Sequence, residues 1–320
     1  MTAARVARLQ AALANRFVID REVGGGGMGA VFQARDKNLG RQVAIKMLSA
    51  DIAAQLGVSG FRREIKYTAR LQHPHILPLL DTGHVDGQLY YVMPFVSGGS
   101  LRDTLRREGR MSLGSVARVV REVGSALDYA HSLRIVHCDI KPENILFSGG
   151  FAVVADFGIA RSIDREPGVL GRREYASLGS PIYVSPEQAT SERDLDERTD
   201  VYSFACVIYE MLTGRPPFEG DSVEELVAKR FTESPQPIHL VRDHVSACIS
   251  RAVAKALERD PRDRFPAVGH LVRAVEHGLM KAPSGKQKEQ QRASVGGVAR
   301  WLWAMTGRTP IRLPGPVSTL

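Results

Sequence analysis

A carboxylate, an ammonium and an amide lie close together in one short segment of the chain, and a second carboxylate follows it. These residues are Asp139, Lys141, Asn144 and, one short hairpin later, Asp156. Asp139 could orient a hydroxyl group and accept its proton, a contribution worth about 10²–10⁴-fold in rate. Lys141 could neutralise charge on a phosphoryl group, while Asn144 and Asp156 offer the hard oxygen ligands that Mg²⁺ prefers. The set therefore predicts phosphoryl transfer from a metal-bound phosphate to a hydroxyl.

A glycine run upstream of this segment could bind the phosphate. Gly24, Gly26 and Gly29 have GxGxxG spacing, and backbone that lacks side chains can approach phosphate oxygens and donate N–H groups to them. Dinucleotide-binding folds use the same spacing, and a flexible linker is the ordinary alternative. A strand, not a helix, is predicted after the run, which argues against the dinucleotide fold.

The hydrophobic pattern changes from strand-like to helical along the chain. Residues 16–50 alternate as a small antiparallel sheet with a loose loop at the glycine run, Phe61–Leu71 is predicted as a helix, and Leu89–Met93 as a strand. After the breaker-rich stretch Pro94–Gly99, two short strands within Ile145–Val154 interrupt a series of helices. These helices are Leu101–Glu108, Ser112–Ser132, Asp200–Thr213, Val223–Phe231, Val245–Glu258 and Pro266–Leu279. The order predicts a mostly β lobe, a hinge and a mostly α lobe, with the ligand site in the cleft between them.

The motifs and their order resemble one known family. The run His137-Cys138-Asp139-Ile140-Lys141-Pro142-Glu143-Asn144, followed by Asp156-Phe157-Gly158, resembles the catalytic segments of bacterial eukaryotic-like serine/threonine protein kinases. The bacterial members are matched by Gly26-Gly27-Met28-Gly29, Ser185-Pro186-Glu187-Gln188 and Tyr209-Glu210-Met211-Leu212-Thr213-Gly214. The resemblance covers residues 16 to about 280. It implies an α+β, two-lobed kinase fold and the transfer of the γ-phosphoryl group of ATP to protein Ser or Thr hydroxyls, with Mg²⁺ or, as a substitute, Mn²⁺.

The resemblance also implies roles for individual residues. Lys46 lies on an apolar strand, where an unpaired ammonium is costly to bury, and would pair with Glu64 and the α/β phosphates. Ser180 would bridge Asp139 and Lys141, and a Lys at this last position accompanies Ser/Thr specificity. The remaining nucleotide contacts would come from the glycine run, the walls of the adenine site and the hinge: Val23, Gly24, Gly25, Gly26, Gly27, Met28, Gly29, Val31, Ala44, Met93, Pro94, Val96 and Leu146.

Three further residues are implied to be architectural. Glu187 would pair with Arg264, and Asp200 would accept hydrogen bonds from the backbone near His137. We expect His137 itself to be a packing residue and not a base, despite its place in the motif.

Cys138 is the main departure from the family pattern. Most relatives have an Arg here that contacts a phosphorylated residue in the activation segment, and a thiol cannot supply that fork of donors. Glu174 stands where similar bacterial enzymes often have a phosphorylatable Thr. We therefore expect activity that does not depend on phosphorylation at that site. Ser162, Tyr175 and Ser177 are candidate phosphosites, and the ordinary alternative is that such loop side chains are simply solvated. A redox role for Cys138 is the less favoured alternative to that of a small apolar side chain.

Charge and cysteine content narrow the class of protein. Of the net charge of +8, residues 281–320 carry +6, so the preceding part is nearly neutral and no nucleic-acid partner is expected. This tail contains Trp301-Leu302-Trp303, which could contact a membrane or the kinase body, or belong to a flexible chain. Three widely spaced cysteines suggest neither a disulfide framework nor a metal cluster. With no apolar stretch of membrane-spanning length and no signal-peptide pattern, the expected location is cytoplasmic.

The predicted organisation is an N-terminal extension at 1–15, an N-lobe at 16–94, a C-lobe at 95–280 and a basic, flexible tail at 281–320. The expected partners are protein substrates and, for autophosphorylation, a second copy of the chain. Two alternatives stay open: a pseudokinase that serves as a nucleotide-binding interaction module, and a small-molecule phosphotransferase. Lys46, Asp139 and Asp156 argue against the first, and the segment ending Ser185-Pro186-Glu187 argues against the second.

Overall fold

The computed structural model describes residues 3–85, 87–157, 181–190 and 195–280. The chain divides into units of residues 1–280 and 281–320. The predictions for Gly158, Ser162, Glu174, Tyr175, Ser177, Ser180 and the tail therefore lie outside the described residues.

The N-terminal part is built on an antiparallel five-stranded sheet of order β1-β2-β3-β5-β4. Its strands are β1 (Phe17–Gly26), β2 (Gly29–Asp36), β3 (Arg41–Leu48), β4 (Asp81–Val85) and β5 (Gln88–Pro94). Strand β3 is buried on both faces. Val43, Ile45 and Met47 join one apolar cluster, while Ala44 and Leu48 join another on the opposite face. This two-sided burial explains why the strand has a continuous apolar sequence.

A helix covers each face of the sheet. Helix α1 (Ala3–Leu13) places Leu9 and Leu13 in the first cluster, and helix α2 (Ala50–Thr68) places Phe61 and Ile65 in the second. The sequence predicted α2 only from Phe61 onward. In the structure the helix begins at Ala50, and its two helical stretches meet at a kink at Gly57, where φ is 60°. Helix α1 and strand β4 were not predicted.

The glycine run is not the loose loop that the sequence suggested. β1 continues through Gly26, which pairs with Gly29, so the two strands are joined by a tight turn at Gly27 and Met28. Register shifts between Ile19 and Arg21, and between Glu22 and Gly24, bend the first strand.

The C-terminal part is mainly helical and is built around one buried helix. Its elements are α3 (Leu101–Glu108), α4 (Leu113–Ser132), β6 (Ile145–Ser148), β7 (Phe151–Val154), α5 (Pro186–Ala189), α6 (Glu197–Thr213), α7 (Val223–Thr232), α8 (Ile238–Val241), α9 (Ala247–Ala256) and α10 (Val268–Met280). Short 3₁₀ turns span Pro142–Asn144, Pro181–Tyr183 and Pro261–Asp263. Fourteen consecutive residues of α6, Thr199–Leu212, are buried, so this helix forms the centre of the lobe. The predicted helices in this part agree with the structure to within about three residues at their ends. The two-lobed fold predicted from the sequence is confirmed.

The connection after α2 fixes the sheet to the helical part. Backbone hydrogen bonds join Leu77 N to Val154 O at 2.9 Å and Val154 N to His75 O at 2.9 Å. Because β7 lies just before Asp156, this contact ties the catalytic segment to the chain that carries α2. No helix in the described part of the chain is both long and apolar enough to span a bilayer.

Candidate functional site

A cleft of about 790 Å³ lies between the sheet and the helical part. Its walls are the glycine hairpin, the cleft face of β3, the hinge after β5 and the segment around Asp139. Every nucleotide-site residue predicted from the sequence, from Val23 to Leu146, lines this cleft, together with Asp139, Lys141, Asn144 and Asp156. Residues that are distant in the sequence are thus brought to one site.

On the C-lobe wall, Asp139 is held by two neighbouring side chains. Lys141 Nζ donates to both carboxylate oxygens, at 2.9 and 2.7 Å. The 3₁₀ turn Pro142–Asn144 brings the Asn144 amide back over Asp139, where Nδ2 donates to the carboxylate at 2.9 Å and to the backbone carbonyl at 2.8 Å. Because the amide nitrogen makes both bonds, the Asn144 side-chain oxygen remains an acceptor on the cleft wall.

Asp200 supports this segment from below, as predicted. Its carboxylate accepts from the backbone N–H groups of His137 at 2.8 Å and Cys138 at 2.9 Å, and His131 Nε2 lies 2.7 Å from it. Burial alone would raise the pKa of Asp200, but its hydrogen bonds with the His131 side chain and the His137 backbone lower it below the usual value. Asp200 is therefore an anionic anchor for the loop.

His137 and Cys138 are structural parts of the loop. Both ring nitrogens of the buried His137 are engaged, Nε2 with Ala155 O at 2.9 Å and Nδ1 with the Asp139 N–H at 3.2 Å. Cys138 has a φ of 63°, which a non-glycine residue seldom adopts. Gln188 Nε2 holds its carbonyl at 2.8 Å. His137 is thus a packing residue, as expected.

Asp156 follows β7 in the C-terminal part and contacts Lys46 of the sheet and a tyrosine that the sequence analysis missed. Lys46 Nζ lies 2.6 Å from Asp156 Oδ2, and the Tyr91 hydroxyl donates to Oδ1 at 2.5 Å. Burial would raise the pKa of Asp156, yet the Lys46 ammonium and the two hydrogen bonds lower it. Burial, followed by the Asp156 charge, raises the pKa of Tyr91 well above its usual value. The phenol is therefore a permanent donor to an ionised carboxylate.

Two predicted site residues are not placed by the structure. Glu64 belongs to helix α2, but its side chain lies outside the description, so its pairing with Lys46 stays a prediction. The partner that the structure does show for Lys46 is Asp156. Ser180 lies outside the described residues.

On the nucleotide side of the cleft, the backbone of the glycine hairpin lies very close to the backbone of β3 at Gly29. Gly29 has a φ of 139°, and a Cβ on it would lie 1.9 Å from the Met47 carbonyl oxygen. Only glycine allows the hairpin to lie this close to β3. Pairing of Ala44 with Met93 then sets the hinge beside the apolar wall.

An arginine network, also missed from the sequence, contributes to the lining of the cleft. Arg102 donates to Glu143 at 2.8 Å and to Glu210 at 2.6 Å, and contacts the Tyr183 hydroxyl. It ties helix α3 to the catalytic segment and to α6. The predicted ion pair of Glu187 and Arg264 is confirmed, with both oxygens bonded at 2.7 Å.

Comparison with known proteins agrees with this architecture. The protein kinase domain family matches residues 17–275. Serine/threonine-protein kinase PknB of Mycobacterium tuberculosis is 40% identical over 265 residues, which are 81% of this chain and 42% of that protein. PknE of the same species is 36% identical over 277 residues, covering 86% and 48%. The chain thus spans less than half the length of these relatives.

A solved structure shows the same fold. Rad53 residues 1–466, in complex with AMP-PNP, aligns with a TM-score of 0.66 and 26% identity over 82% of this chain and 66% of that one. Two lobes, a nucleotide-sized cleft and the family match over most of the chain lead to one conclusion. The chain belongs to the protein kinase family.

Proposed function

We propose that the chain is an active serine/threonine protein kinase, which transfers the γ-phosphoryl group of ATP to Ser or Thr hydroxyls of proteins. The observation that carries the proposal is that one cleft gathers residues from both parts: Lys46 from the sheet, and Asp139, Lys141, Asn144 and Asp156 from the C-terminal part. The names of the relatives and the AMP-PNP in Rad53 support the same nucleotide and acceptor.

The donor set fits Mg²⁺ bound together with a nucleotide. No group of three or more His, Cys, Asp or Glu side chains suited to a metal occurs among the described residues. Mg²⁺ typically uses only one or two carboxylates plus substrate phosphates, and Asp156 and the Asn144 side-chain oxygen supply such a pair. These two residues would hold the ion, which would supply positive charge against the nucleotide phosphates. Mn²⁺, with similar ligand preferences, is the expected substitute.

The chain's own residues would then act as follows. Asp139 orients the acceptor hydroxyl and takes its proton, while Lys141, already beside that carboxylate, offsets charge on the transferring group. Lys46 holds phosphate oxygens, and the glycine hairpin donates backbone N–H groups to them. The hinge from Met93 to Val96 contacts the adenine, with Val31, Ala44 and Leu146 against its ring.

The test uses labelled ATP and Mg²⁺ with the wild type and Asp156→Asn. Label on Ser or Thr that disappears in the variant supports the kinase. A folded wild type that binds nucleotide without transferring label supports the pseudokinase alternative and overturns the proposal.

We further propose that activation-segment phosphorylation is not required. Cys138 offers no guanidinium to a phosphate, and its loop is held by Asp200 and Gln188 without one. We expect phosphatase-treated protein to keep its initial rate of label transfer to an added protein substrate. A rate that falls with dephosphorylation and returns after incubation with ATP would contradict this.

The wider setting is also a proposal. None of the three cysteines, all of which the structure describes, forms a disulfide, as expected for a cytoplasmic protein. Autophosphorylation would involve a second copy of the chain, and membrane contact would use only the basic tail. The lobes are assigned to 16–94 and 95–280, after an extension at 1–15. Comparing label per molecule across protein concentrations, in the full chain and a 1–280 truncation, tests self-association and the role of the tail.

A further inference from the structure

We propose that Tyr91 is a positioning residue for Asp156, and that its hydroxyl sets the affinity of the site for the metal–nucleotide complex. This inference rests on the proposed function, because it concerns the carboxylate assigned to the metal. The Tyr91 side chain does not line the cleft. Its effect on the metal–nucleotide complex would therefore act through Asp156.

The geometry leaves the phenol little freedom. Tyr91 lies in the middle of β5, is 3% exposed, and is paired across the sheet with Lys46 on β3. The two residues therefore point to the same face and reach the same carboxylate. Tyr91 takes Oδ1 at 2.5 Å, and Lys46 takes Oδ2 at 2.6 Å. The Lys46 ammonium also lies 5.9 Å from the centre of the Tyr91 ring.

Asp156 needs such support because its backbone is strained. Its φ is 64°, in the left-handed region that favours glycine. A non-glycine residue persists there only when its surroundings hold it. On either side, Ala155 N donates to Asn144 O at 2.9 Å and Thr68 Oγ1 donates to Phe157 O at 3.0 Å. These bonds fix the backbone, whereas Tyr91 and Lys46 fix the orientation of the carboxylate.

The two side-chain donors to Asp156, Lys46 and Tyr91, differ in their other contacts. Lys46 is assigned to the nucleotide phosphates as well, so its ammonium is shared between two anionic groups when the site is filled. The Tyr91 hydroxyl is buried in the sheet and, within the described part of the chain, donates to the carboxylate alone. A carboxylate has about four lone-pair positions, so one bond from Tyr91 leaves oxygen lone pairs for a metal. The phenol is the constant constraint on Asp156.

The test measures binding, not turnover. AMP-PNP is titrated into the 320-residue wild-type chain and into Tyr91→Phe by calorimetry, with Mg²⁺ and with EDTA. Partners that orient a ligating carboxylate typically contribute 10–100-fold to metal affinity, so the variant is expected to bind Mg²⁺·AMP-PNP about 10-fold more weakly. Binding in EDTA is expected to stay unchanged, because the ring and its packing are kept.

Two comparisons separate positioning from stability. Tyr209→Phe removes another phenol, which donates to Gln236 O away from the cleft, and is expected to change neither titration. In an Asp156→Asn background, Tyr91→Phe is expected to have no further effect on the Mg²⁺ dependence, because coupled residues are not additive.

Some outcomes overturn the inference. Mg²⁺·AMP-PNP affinity that is unchanged or tighter in Tyr91→Phe overturns it, as does an equal loss with EDTA. If Tyr91→Phe fails to fold, its role is structural and the inference is also wrong. Failure of the wild type to bind the nucleotide under either condition would instead overturn the proposed function.

Discussion

The buried ion pair between Glu187 and Arg264 makes a quantitative prediction about stability. The Arg264 side chain is fully buried and makes a two-pronged bond to Glu187, which is 5% exposed and also accepts from Thr199 at 2.8 Å. Replacing Arg264 by Leu leaves the carboxylate buried without its cation. Removing one partner of such a pair costs about 3–5 kcal/mol. At about 2–4 °C per kcal/mol for a domain of this size, Arg264→Leu is expected to lower Tm by about 6–20 °C.

A nearby arginine is the matched control. Arg262 pairs with Asp260 at 2.5 Å, but its side chain is 83% exposed. Arg262→Leu is therefore expected to leave Tm unchanged, because solvent screens such pairs. The assay is thermal unfolding of both variants and the wild type, monitored by circular dichroism.

The cost of Arg264→Leu should also depend on pH. Burial would raise the pKa of Glu187, but its bond to Arg264 lowers it below the ordinary value of 4.5. A lowered carboxyl pKa adds stability that is present above about pH 4.5 and is lost as the pH falls through the folded-state pKa. The Tm difference between wild type and variant should therefore shrink from pH 7 to pH 4. A loss below about 2 °C at pH 7, or an equal loss at both pH values, would refute this reasoning.

Two further substitutions test how the site is positioned. Gly98→Ala would place a Cβ 2.1 Å from the Phe147 carbonyl oxygen at the hinge, so we expect a loss of about 1–3 kcal/mol by denaturant unfolding. Gly114→Ala, in an open helical position, should instead be neutral or stabilising; equal losses would contradict the close approach. Leu9→Ala should cost about 2–5 kcal/mol because this side chain is buried under the sheet, whereas the exposed Ala12→Ser should cost far less. A neutral Leu9→Ala would mean that α1 does not cover the sheet.

The parts of the site that the sequence could predict are those set by local spacing. Three of them, Asp139, Lys141 and Asn144, lie within six consecutive residues, so their types and spacing were enough to predict that they lie close together. The apolar run around Lys46 likewise predicted a strand, and the Gly and Pro residues from Pro94 to Gly99 predicted the connection after β5. The family resemblance added the predicted nucleotide-site residues, from Val23 to Leu146, and all of these line the cleft.

The parts that it missed depend on contacts between distant residues. Tyr91 is 65 positions from Asp156, and nothing around it distinguishes its buried hydroxyl from an ordinary strand Tyr. Arg102 reaches Glu210 across 108 positions, and a charged side chain on a helix is ordinarily exposed to solvent. Helix α1 was missed because its apolar residues Leu9 and Leu13 pack against the sheet, and that distant contact cannot be read from the local sequence. The first half of α2 was missed because Gly57 resembles a helix end.

The central claim is that Asp139 takes the proton from the acceptor hydroxyl in a working kinase. The most direct test is the single-turnover rate of label transfer from ATP to an added protein substrate, for the wild type and Asp139→Asn, with AMP-PNP affinity measured in parallel. Loss of a general base is expected to reduce the rate about 10²–10⁴-fold while nucleotide affinity stays unchanged. Equal rates in the two proteins would contradict the account.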